Sequence, residues 1–287
     1  MKDKIVIMTD SCSSLTKEEL AKRNIEYVEM SYVLDDVEHT AFDEEEVSLP
    51  EFYEKLDVVK SCSTGCVSES TFEEKFEELA SKGYKVLYMG LSGALSATFG
   101  YAQVAAERIN EKYGKKVIGL VNSRTGSIGV QILLDDAEEL LAQGKTLDEC
   151  EFVLKDYASK VESFFVCRDL KFLHKCGRLS SFEASLGTLL KIVPIIHVDS
   201  KDDKLRVAEK HLGKKLAYKN LRNKFVGMIN ERPCEKCYIA SCALDADAEE
   251  LKNFIVENTH IKDVKVGYID KVMSCCCGPK TIAIFVR

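Results

Sequence analysis

The sequence lacks a hydrophobic run long enough to cross a membrane. A transmembrane helix needs roughly 18 or more consecutive apolar residues, and the longest candidate, "LGTLLKIVPIIHV" (186–198), is interrupted by Lys191 and Pro194. The amino-terminal stretch "MKDKIVIMTD" contains only a brief apolar run, which is too short for a secretory signal peptide. These absences predict a cytoplasmic protein.

The sequence also lacks an excess of basic residues, an internal repeat and a low-complexity linker. Its 47 acidic and 40 basic residues give a net charge of −7, which argues against general nucleic-acid binding because that needs a basic surface. With 46% hydrophobic and 30% charged residues, the chain has the composition of a globular protein. Its 287 residues suit one large or two medium domains.

Cysteine, in contrast, is abundant, and the 12 residues are expected to be reduced thiols in a cytoplasmic protein. Cys234 and Cys237 form a C-x-x-C pair, which is half of the roughly four-ligand set of a structural zinc site. Cys275, Cys276 and Cys277 precede a Gly-Pro turn, and consecutive side chains of an extended chain point to opposite faces. A zinc site and buried, unreactive thiols both stay open, and the second is favoured.

The first half of the chain alternates apolar β-branched runs with helical patterns. Strands are predicted over 4–8, 85–90 and 116–121, and helices over 14–24, 48–56, 96–113, 127–143 and 147–161. Thr16 and Glu19 have the spacing of a helix-start capping box. Residues 25–33 are expected to be extended, and residues 35–47 to form an acidic, exposed connection. The alternation predicts an α/β domain over residues 1–160, with a layered, mostly parallel sheet and helices on both faces.

The second half has a different pattern, in which hairpins and helices are mixed. Residues 191–210 predict a hairpin with a polar tip at 200–203. Further strands are predicted over 163–167, 236–242, 264–270 and 281–286, and helices over 212–230 and 246–258. This order predicts an α+β domain with a mixed sheet over residues 161–287.

Small and hydroxyl-bearing residues cluster after strand-like segments of the first half. They form four clusters, at 9–11, 63–65, 92–98 and 122–129. Ligands of α/β sheets bind at the carboxyl ends of strands, and hydroxyls with free helix-start amides suit an anion. Each cluster alone could be a helix cap, but the four together favour an anion site. None contains a G-x-G-x-x-G or Walker-type phosphate loop, and "GLSGA" (90–94) lacks the second glycine of a nucleophile elbow.

Seven short blocks follow one another along the chain. They are "TDSCSSL" (9–15), "STGCVS" (63–68), "LSGALSAT" (91–98), "NSRTGSIGV" (122–130), "LKFLHKCGRLSS" (170–181), "LLKIVPII" (189–196) and "CCGPK" (276–280). Together they resemble the signature blocks of the bacterial DegV family, which includes the fatty-acid-binding subunits of bacterial fatty acid kinase. The resemblance implies a two-domain α/β fold with a long-chain fatty acid in a tunnel between the domains.

The resemblance also implies which residues meet the fatty acid carboxylate. The family's hydroxyl pair matches Thr64 and Ser96, and the arginine of its "GGRIS"-like block matches Arg178. A domain-interface salt bridge is the alternative role for Arg178. Weaker candidates from the same blocks are Ser63, Gly65, Ser92 and Thr98.

Three positions depart from the family pattern. The "T-S-Q-P-S" block reads "TGCVS", which retains only Thr64 and Ser68. Val193 stands where a lysine precedes the proline of "K-P-I-L", although Lys191 is close by. Cys276 replaces the histidine of the H-x-G-P-G block, so we expect Cys276 to line the ligand head while its two neighbours point elsewhere. Because that histidine is linked with presentation to the kinase, its loss weighs more against a kinase partner than against lipid binding.

The implied function is that of an intracellular carrier, not an enzyme. Its ligand would be a fatty acid of about C16–C18, whose methylenes would be buried in the tunnel. The implied partner is an ATP-dependent fatty acid kinase that makes acyl phosphate for phospholipid metabolism, with peripheral membrane contact for lipid exchange and no cofactor. Two alternatives stay open: an enzyme with a Ser, Thr or Cys nucleophile acting on an acyl or phosphate substrate, and a metal-dependent protein built on the cysteines.

Overall fold

Three sheets organise the part of the chain that the structure, a computed structural model, describes, namely residues 4–43, 47–178 and 192–287. The strands are β1 Lys4–Asp10, β2 Glu26–Val28, β3 Ser31–Leu34, β4 Val37–Thr40, β5 Cys62–Gly65, β6 Tyr84–Gly90, β7 Ile118–Asn122, β8 Glu162–Val166, β9 Ile192–Val198, β10 Leu205–Leu212, β11 Cys237–Ser241, β12 Val264–Tyr268 and β13 Ile282–Val286. The helices are α1 Lys17–Lys22, α2 Leu49–Val58, α3 Glu69–Ser81, α4 Thr98–Tyr113, α5 Ile128–Ala142, α6 Leu147–Ala158, α7 Lys171–Lys175, α8 Lys214–Glu231, α9 Asp245–Asn258 and α10 Lys271–Cys277.

Four strands form a parallel sheet in the order β2-β1-β6-β7, which confirms the parallel pairing predicted for the first half. Helices cover both faces of this sheet, as strand β6 shows. Its side chains alternate between the two faces of the sheet. Val86 and Tyr88 pack with residues of α3 and α4, whereas Leu87 and Met89 pack with residues of α5 and α6. Because the strands are parallel, the loops after β1, β6 and β7 leave the sheet at one edge.

The second large sheet is mixed, as predicted for the second half. Its order is β10-β9-β8-β13-β11-β12, with β11 and β12 parallel and the other neighbours antiparallel. Helices α8 and α9 cover one face, and α5 packs against β11 and β13 on the other. Gly129 permits this approach, because a Cβ atom there would lie 2.6 Å from the Phe285 ring. Helix α5 therefore lies between the two large sheets.

The buried core continues across the predicted boundary near residue 160. One cluster of buried side chains contains Met8 from β1 and Phe285 from β13. Asp136 of α5 also bonds to Lys236 at 2.6 Å and to Arg287 at 2.5 Å. The division into domains 1–160 and 161–287 therefore stays a prediction.

Some local predictions were wrong. Within the stretch 35–47, residues 44–46 lie outside the described ranges, but residues 37–40 form β4, which pairs with β3 in a small sheet of order β4-β3-β5, so they are not simply a connection. Helices α3 and α7 were not predicted. Residues 275–277 end helix α10 instead of approaching a strand in extended form. Asp270 starts this helix by accepting a hydrogen bond from the Met273 amide at 2.8 Å.

Two other local predictions were confirmed, and one concerns residues outside the described ranges. Thr16 and Glu19 form the predicted capping box of α1, and β9 and β10 form the predicted hairpin. Lys191 and most of the apolar segment 182–196 lie outside the described residues. Within the described ranges, no helix is both long and apolar enough to span a bilayer.

Candidate functional site

A mainly apolar cavity lies between the loop edge of the parallel sheet and the α5 face of the mixed sheet. Its described lining residues are Met30, Thr64, Cys66, Leu91, Leu95, Ser96, Thr125, Gly126, Ser127, Ser163, Phe165, Leu173, Arg178, Val198, Leu205, Ile269, Val272, Met273, Cys276, Cys277, Thr281, Ala283 and Phe285. The space open to the centre of a water-sized sphere is about 90 Å³.

The apolar walls follow from strand periodicity. On β13, Ala283 and Phe285 face the cavity, while Ile282 and Ile284 pack under α8 and α9. Phe165 of β8 faces the cavity in the same way. Because side chains of a strand alternate between faces, one sheet supplies both the cavity wall and the separate core beneath the helices.

Thr64, Ser96, Arg178 and Cys276, the four main predicted residues, lie together on the cavity wall. They come from four segments: strand β5, the loop before α4, the residues after α7, and helix α10. The Thr64 hydroxyl lies 3.9 Å from the Cys276 sulfur. The structure thus brings the four predicted residues to one cavity, and their contact with a ligand stays a prediction.

Ser96 belongs to a chain of polar groups. Its hydroxyl donates to the Thr98 hydroxyl at 3.0 Å and accepts from the Thr98 amide at 3.2 Å. The Cys66 sulfur lies 3.4 Å from the same hydroxyl. Hydroxyl protons can rotate, so Thr98 could donate to Ser96 and leave the Ser96 proton for a ligand anion.

Arg178 is the one charged side chain among the described lining residues. Its Nε donates to the Leu95 carbonyl at 3.0 Å, and its Nη1 donates to the Cys176 carbonyl. Among the described residues, these two are the hydrogen bonds of the Arg178 side chain, and both acceptors are backbone carbonyls. This arrangement differs from the domain-interface salt bridge that was the alternative role for Arg178. A guanidinium has five N–H donors, so others remain for an anionic ligand.

Several other hydroxyls of the cavity wall are already paired with the protein. The Thr125 and Ser163 hydroxyls are 2.7 Å apart, and the Thr281 hydroxyl donates to the Cys277 carbonyl at 2.9 Å. The Ser127 hydroxyl lies 2.9 Å from that of Ser14. Because these hydroxyls are already hydrogen-bonded to protein groups, an apolar ligand can lie against them without leaving them unpaired.

The four weaker candidates do not appear among the described lining residues. Ser63 is exposed. A Cβ atom at Gly65 would lie 2.3 Å from the Ser31 hydroxyl, so a larger residue there would have to displace that hydroxyl. The Ser92 hydroxyl accepts from the Ala94 amide at 3.3 Å. Thr98 forms hydrogen bonds with Ser96. The four residues therefore lie close to lining residues in the sequence but do not line the cavity themselves.

Three of the four predicted hydroxyl clusters contribute to the cavity, and the cluster at 9–11 does not contribute a described lining residue. Asp10 is buried and accepts hydrogen bonds from the Tyr88 hydroxyl at 2.9 Å and from the amides of Leu91 and Cys12 at 2.8 and 3.0 Å. Burial raises the pKa of Asp10, although these hydrogen bonds oppose it. Asp10 therefore joins the loops after β1 and β6.

The three adjacent cysteines require a correction. Because they lie on a helix, Cys276 and Cys277 both line the cavity, and the expectation that Cys277 points elsewhere was wrong. The Cys62 thiol donates to the Cys275 carbonyl at 3.4 Å, and the Cys242 sulfur lies 3.5 Å from the hydroxyl of Ser274, the residue before the triplet. Within the described residues, no group of three or more His, Cys, Asp or Glu side chains is arranged to hold a metal ion.

Cys66 was missed as a site residue by the sequence analysis. It is exposed and also lines the cavity, so the cavity reaches the surface there. Burial opposes ionisation of this thiol, but hydrogen bonds from Ser96 and Thr98 outweigh it and lower the pKa of Cys66. Its position in "TGCVS", two residues after Thr64, was the available signal.

Comparisons with known proteins agree with this architecture. The model of the family described as "Uncharacterised protein, DegV family" matches residues 4–287. A DegV domain-containing protein of Clostridium perfringens is 31% identical over 282 residues, which cover 98% of this chain and 97% of that protein.

Two solved structures share the fold. A DegV family protein of Ruminococcus gnavus, refined with vaccenic acid, superposes with a TM-score of 0.87 at 22% identity and covers 98% of this chain and 99% of its own. A DegV family protein of Thermus thermophilus, described for fatty acid binding, gives a TM-score of 0.86 at 23% identity and covers 99% of both chains.

Proposed function

The chain belongs to the DegV family, and on that premise we propose that it is a carrier that binds a long-chain fatty acid in this cavity. The carboxylate lies at Thr64, Ser96 and Arg178, and the alkyl chain runs between the two large sheets. The related proteins of Ruminococcus gnavus and Thermus thermophilus, which are described with a fatty acid or for binding one, support this ligand class.

One observation carries the proposal: the described lining is mainly apolar, and its one charged side chain, Arg178, lies beside a cluster of hydroxyls. Such a wall matches a molecule with one anionic end and a long apolar body. A buried carboxylate without donors would be very costly. Arg178 and the rotating Ser96 hydroxyl meet that need.

The alkyl chain supplies most of the affinity. A C16 chain buries about 14 methylenes, and at roughly 0.8 kcal/mol each the transfer free energy is of order 11 kcal/mol before ordering costs. A hydrogen bond to a charged carboxylate adds only about 1.5–3 kcal/mol. The cavity walls therefore set the affinity, and the polar cluster sets the direction in which the ligand lies.

Native mass spectrometry followed by denaturing mass spectrometry tests the proposal. We expect the purified protein, after incubation with palmitate, to gain the mass of one palmitate and to lose it on denaturation. Hexadecane serves as the control ligand, because it matches the chain but has no carboxylate for Arg178. A protein that gains no mass would contradict the carrier role. An adduct that survives denaturation would also contradict it and favour a Ser, Thr or Cys nucleophile.

The finer part of the proposal concerns location and partner. The carrier works in the cytoplasm and presents its ligand to an ATP-dependent fatty acid kinase that serves phospholipid metabolism. It contacts the membrane transiently to exchange lipid. The exposed position of Cys66 next to Ser96 supports presentation, because a carboxylate bound at Ser96 would then lie near the surface. Acyl phosphate should form when the loaded protein, ATP and such a kinase are combined. Formation with ATP and the loaded protein alone would contradict the division of labour.

A further inference from the structure

We propose that Cys176 and Cys276 form a reversible disulfide that clamps two walls of the cavity together. Cys176 directly follows α7, and Cys276 lies in the last turn of α10. The two helices pack against each other. Both helices contribute to the cavity wall, through Leu173 from α7 and Val272, Met273, Cys276 and Cys277 from α10.

The two cysteines lie close together. The Cys176 sulfur lies 3.9 Å from the Cys276 carbonyl oxygen. A disulfide requires Cα atoms roughly 4.4–6.8 Å apart and side chains that are directed toward each other. Because the two residues lie at the ends of helices that pack against each other, a small shift of α7 against α10 would bring the two sulfurs together.

Accessibility separates this pair from the other two cysteines of the triplet. Cys176 and Cys276 are both half-buried, and Cys276 faces the cavity. The neighbouring cysteines of the triplet, Cys275 and Cys277, are buried, as are Cys62 and Cys242. A small oxidant therefore reaches the Cys176–Cys276 pair first.

The electrostatics of the pair prepare it for exchange. The hydrogen bond from the Cys276 thiol, aided by Arg178 and opposed by burial, lowers the pKa of Cys176 to about 7. The same hydrogen bond and burial raise the pKa of Cys276. Because the thiolate is the nucleophile in exchange, Cys176 attacks first and Cys276 resolves the intermediate.

The chemistry is a two-electron exchange with a low-molecular-weight disulfide such as oxidised glutathione. The Cys176 thiolate attacks one glutathione sulfur, forms a mixed disulfide and releases one glutathione thiolate. The Cys276 sulfur then attacks the Cys176 sulfur and displaces the second glutathione, while its proton passes to a glutathione thiolate. The protein loses two electrons, and one oxidised glutathione becomes two reduced molecules.

The consequence for the ligand rests on the proposed function. Because α7 and α10 both contribute to the cavity wall, a disulfide that fixes one helix to the other should restrict widening of the cavity and slow fatty acid exchange several-fold. Arg178 would be held as well, because its Nη1 donates to the Cys176 carbonyl. Reduction restores the free thiols and the faster exchange.

The test treats the full chain with oxidised glutathione, alkylates the remaining thiols and maps the peptides by mass spectrometry without reduction. We expect one linked peptide pair, Cys176 with Cys276, which dithiothreitol removes and which is absent from Cys176→Ser and Cys276→Ser. Cys66→Ser is the matched control and should keep the link. Absence of the link, or its replacement by a different pair in the unmodified protein, overturns the proposal whether or not the protein binds a lipid.

A second measurement follows release of labelled palmitate from oxidised and reduced protein. We expect slower release after oxidation, reversal by dithiothreitol and no change in Cys176→Ser. Equal release rates from a protein with a confirmed link would overturn the clamp. A protein that forms the link but never binds palmitate would overturn the proposed function instead.

Discussion

The thiol of Cys66 lies 3.4 Å from the hydroxyl of Ser96. Cys66 is exposed, whereas Ser96 is 5% exposed, so this contact marks the passage from the surface to the polar end of the cavity. A ligand carboxylate held by Ser96 would therefore lie within reach of the Cys66 side chain. The thiol offers a chemical reporter of that position.

Alkylation of Cys66 should depend on the bound fatty acid. Its lowered pKa and exposure predict that iodoacetamide modifies Cys66 well before the buried Cys150, whose pKa is raised by burial. Palmitate at saturation should slow the reaction of Cys66 and leave that of Cys150 unchanged. Time-resolved peptide mapping measures both rates. Equal rates for Cys66 with and without palmitate would place the carboxylate elsewhere.

Replacement of Arg178 by glutamine should weaken binding of the anion selectively. Glutamine keeps hydrogen-bonding capacity toward the Leu95 carbonyl but removes the charge. A hydrogen bond to a charged group contributes about 1.5–3 kcal/mol, so the Kd for palmitate should rise roughly ten- to a hundredfold while that for hexadecanol changes little. Isothermal titration calorimetry measures both.

Arg206→Gln is the matched control, because Arg206 lies on β10 and pairs with Asp199 at 2.6 Å and with Asp202 at 2.7 Å. This variant should bind palmitate as the parent does. If Arg178→Gln weakened the binding of palmitate and the binding of hexadecanol equally, the role of Arg178 would be structural.

Two further changes separate the polar end from the apolar wall. Ser96→Ala removes one hydrogen bond to the carboxylate, which contributes about 1.5–3 kcal/mol, so the Kd should rise roughly ten- to a hundredfold. Ala283→Phe fills the cavity from β13, so binding should be lost. Val266→Phe, on exposed β12, controls for a new ring in the same sheet. Near-complete loss of binding in a folded Ser96→Ala would contradict this division.

The strands of the two large sheets were predicted well, because the pattern of residues within a strand is local. The buried run of β6 and the hairpin of β9 and β10 are visible in the order of residues alone. Helix α10 was missed for the opposite reason. Its sequence "KVMSCCC" has no strong helical period, and the helix depends on the Asp270 cap and on packing against α7. That error also hid the orientation of Cys277.

The site was predicted unevenly for a related reason. Thr64, Ser96, Arg178 and Cys276 all lie in blocks that resemble the family, so each carried a signal. Phe165, Ala283 and Phe285 line the cavity only because one face of β8 and β13 meets the other half of the chain. Alternation within a strand shows that two faces exist, but the tertiary fold decides which face meets a ligand.

A buried carboxylate makes stability depend on pH. Asp270 accepts hydrogen bonds from the Ser14 hydroxyl at 2.7 Å and from the Met273 amide at 2.8 Å, but burial outweighs them and raises its pKa to about 7. In the unfolded chain the pKa is about 3.9. Between these values the unfolded state releases a proton that the folded state keeps, so Asp270 lowers the free energy of unfolding as pH rises, by up to roughly 1.4 kcal/mol per pH unit.

Asp270→Asn should remove this dependence, because the amide oxygen can still cap α10 and the amide cannot ionise. The difference in unfolding free energy between variant and parent should therefore shift in favour of the variant from pH 5 to pH 8, with most of the change below pH 7. Urea denaturation at each pH measures it. Asp263→Asn is the control, since Asp263 is exposed, and its difference from the parent should stay constant over this range. Parallel pH profiles for Asp270→Asn and the parent would mean that Asp270 is already ionised in the folded protein, held by Ser14 and the helix start against the cost of burial.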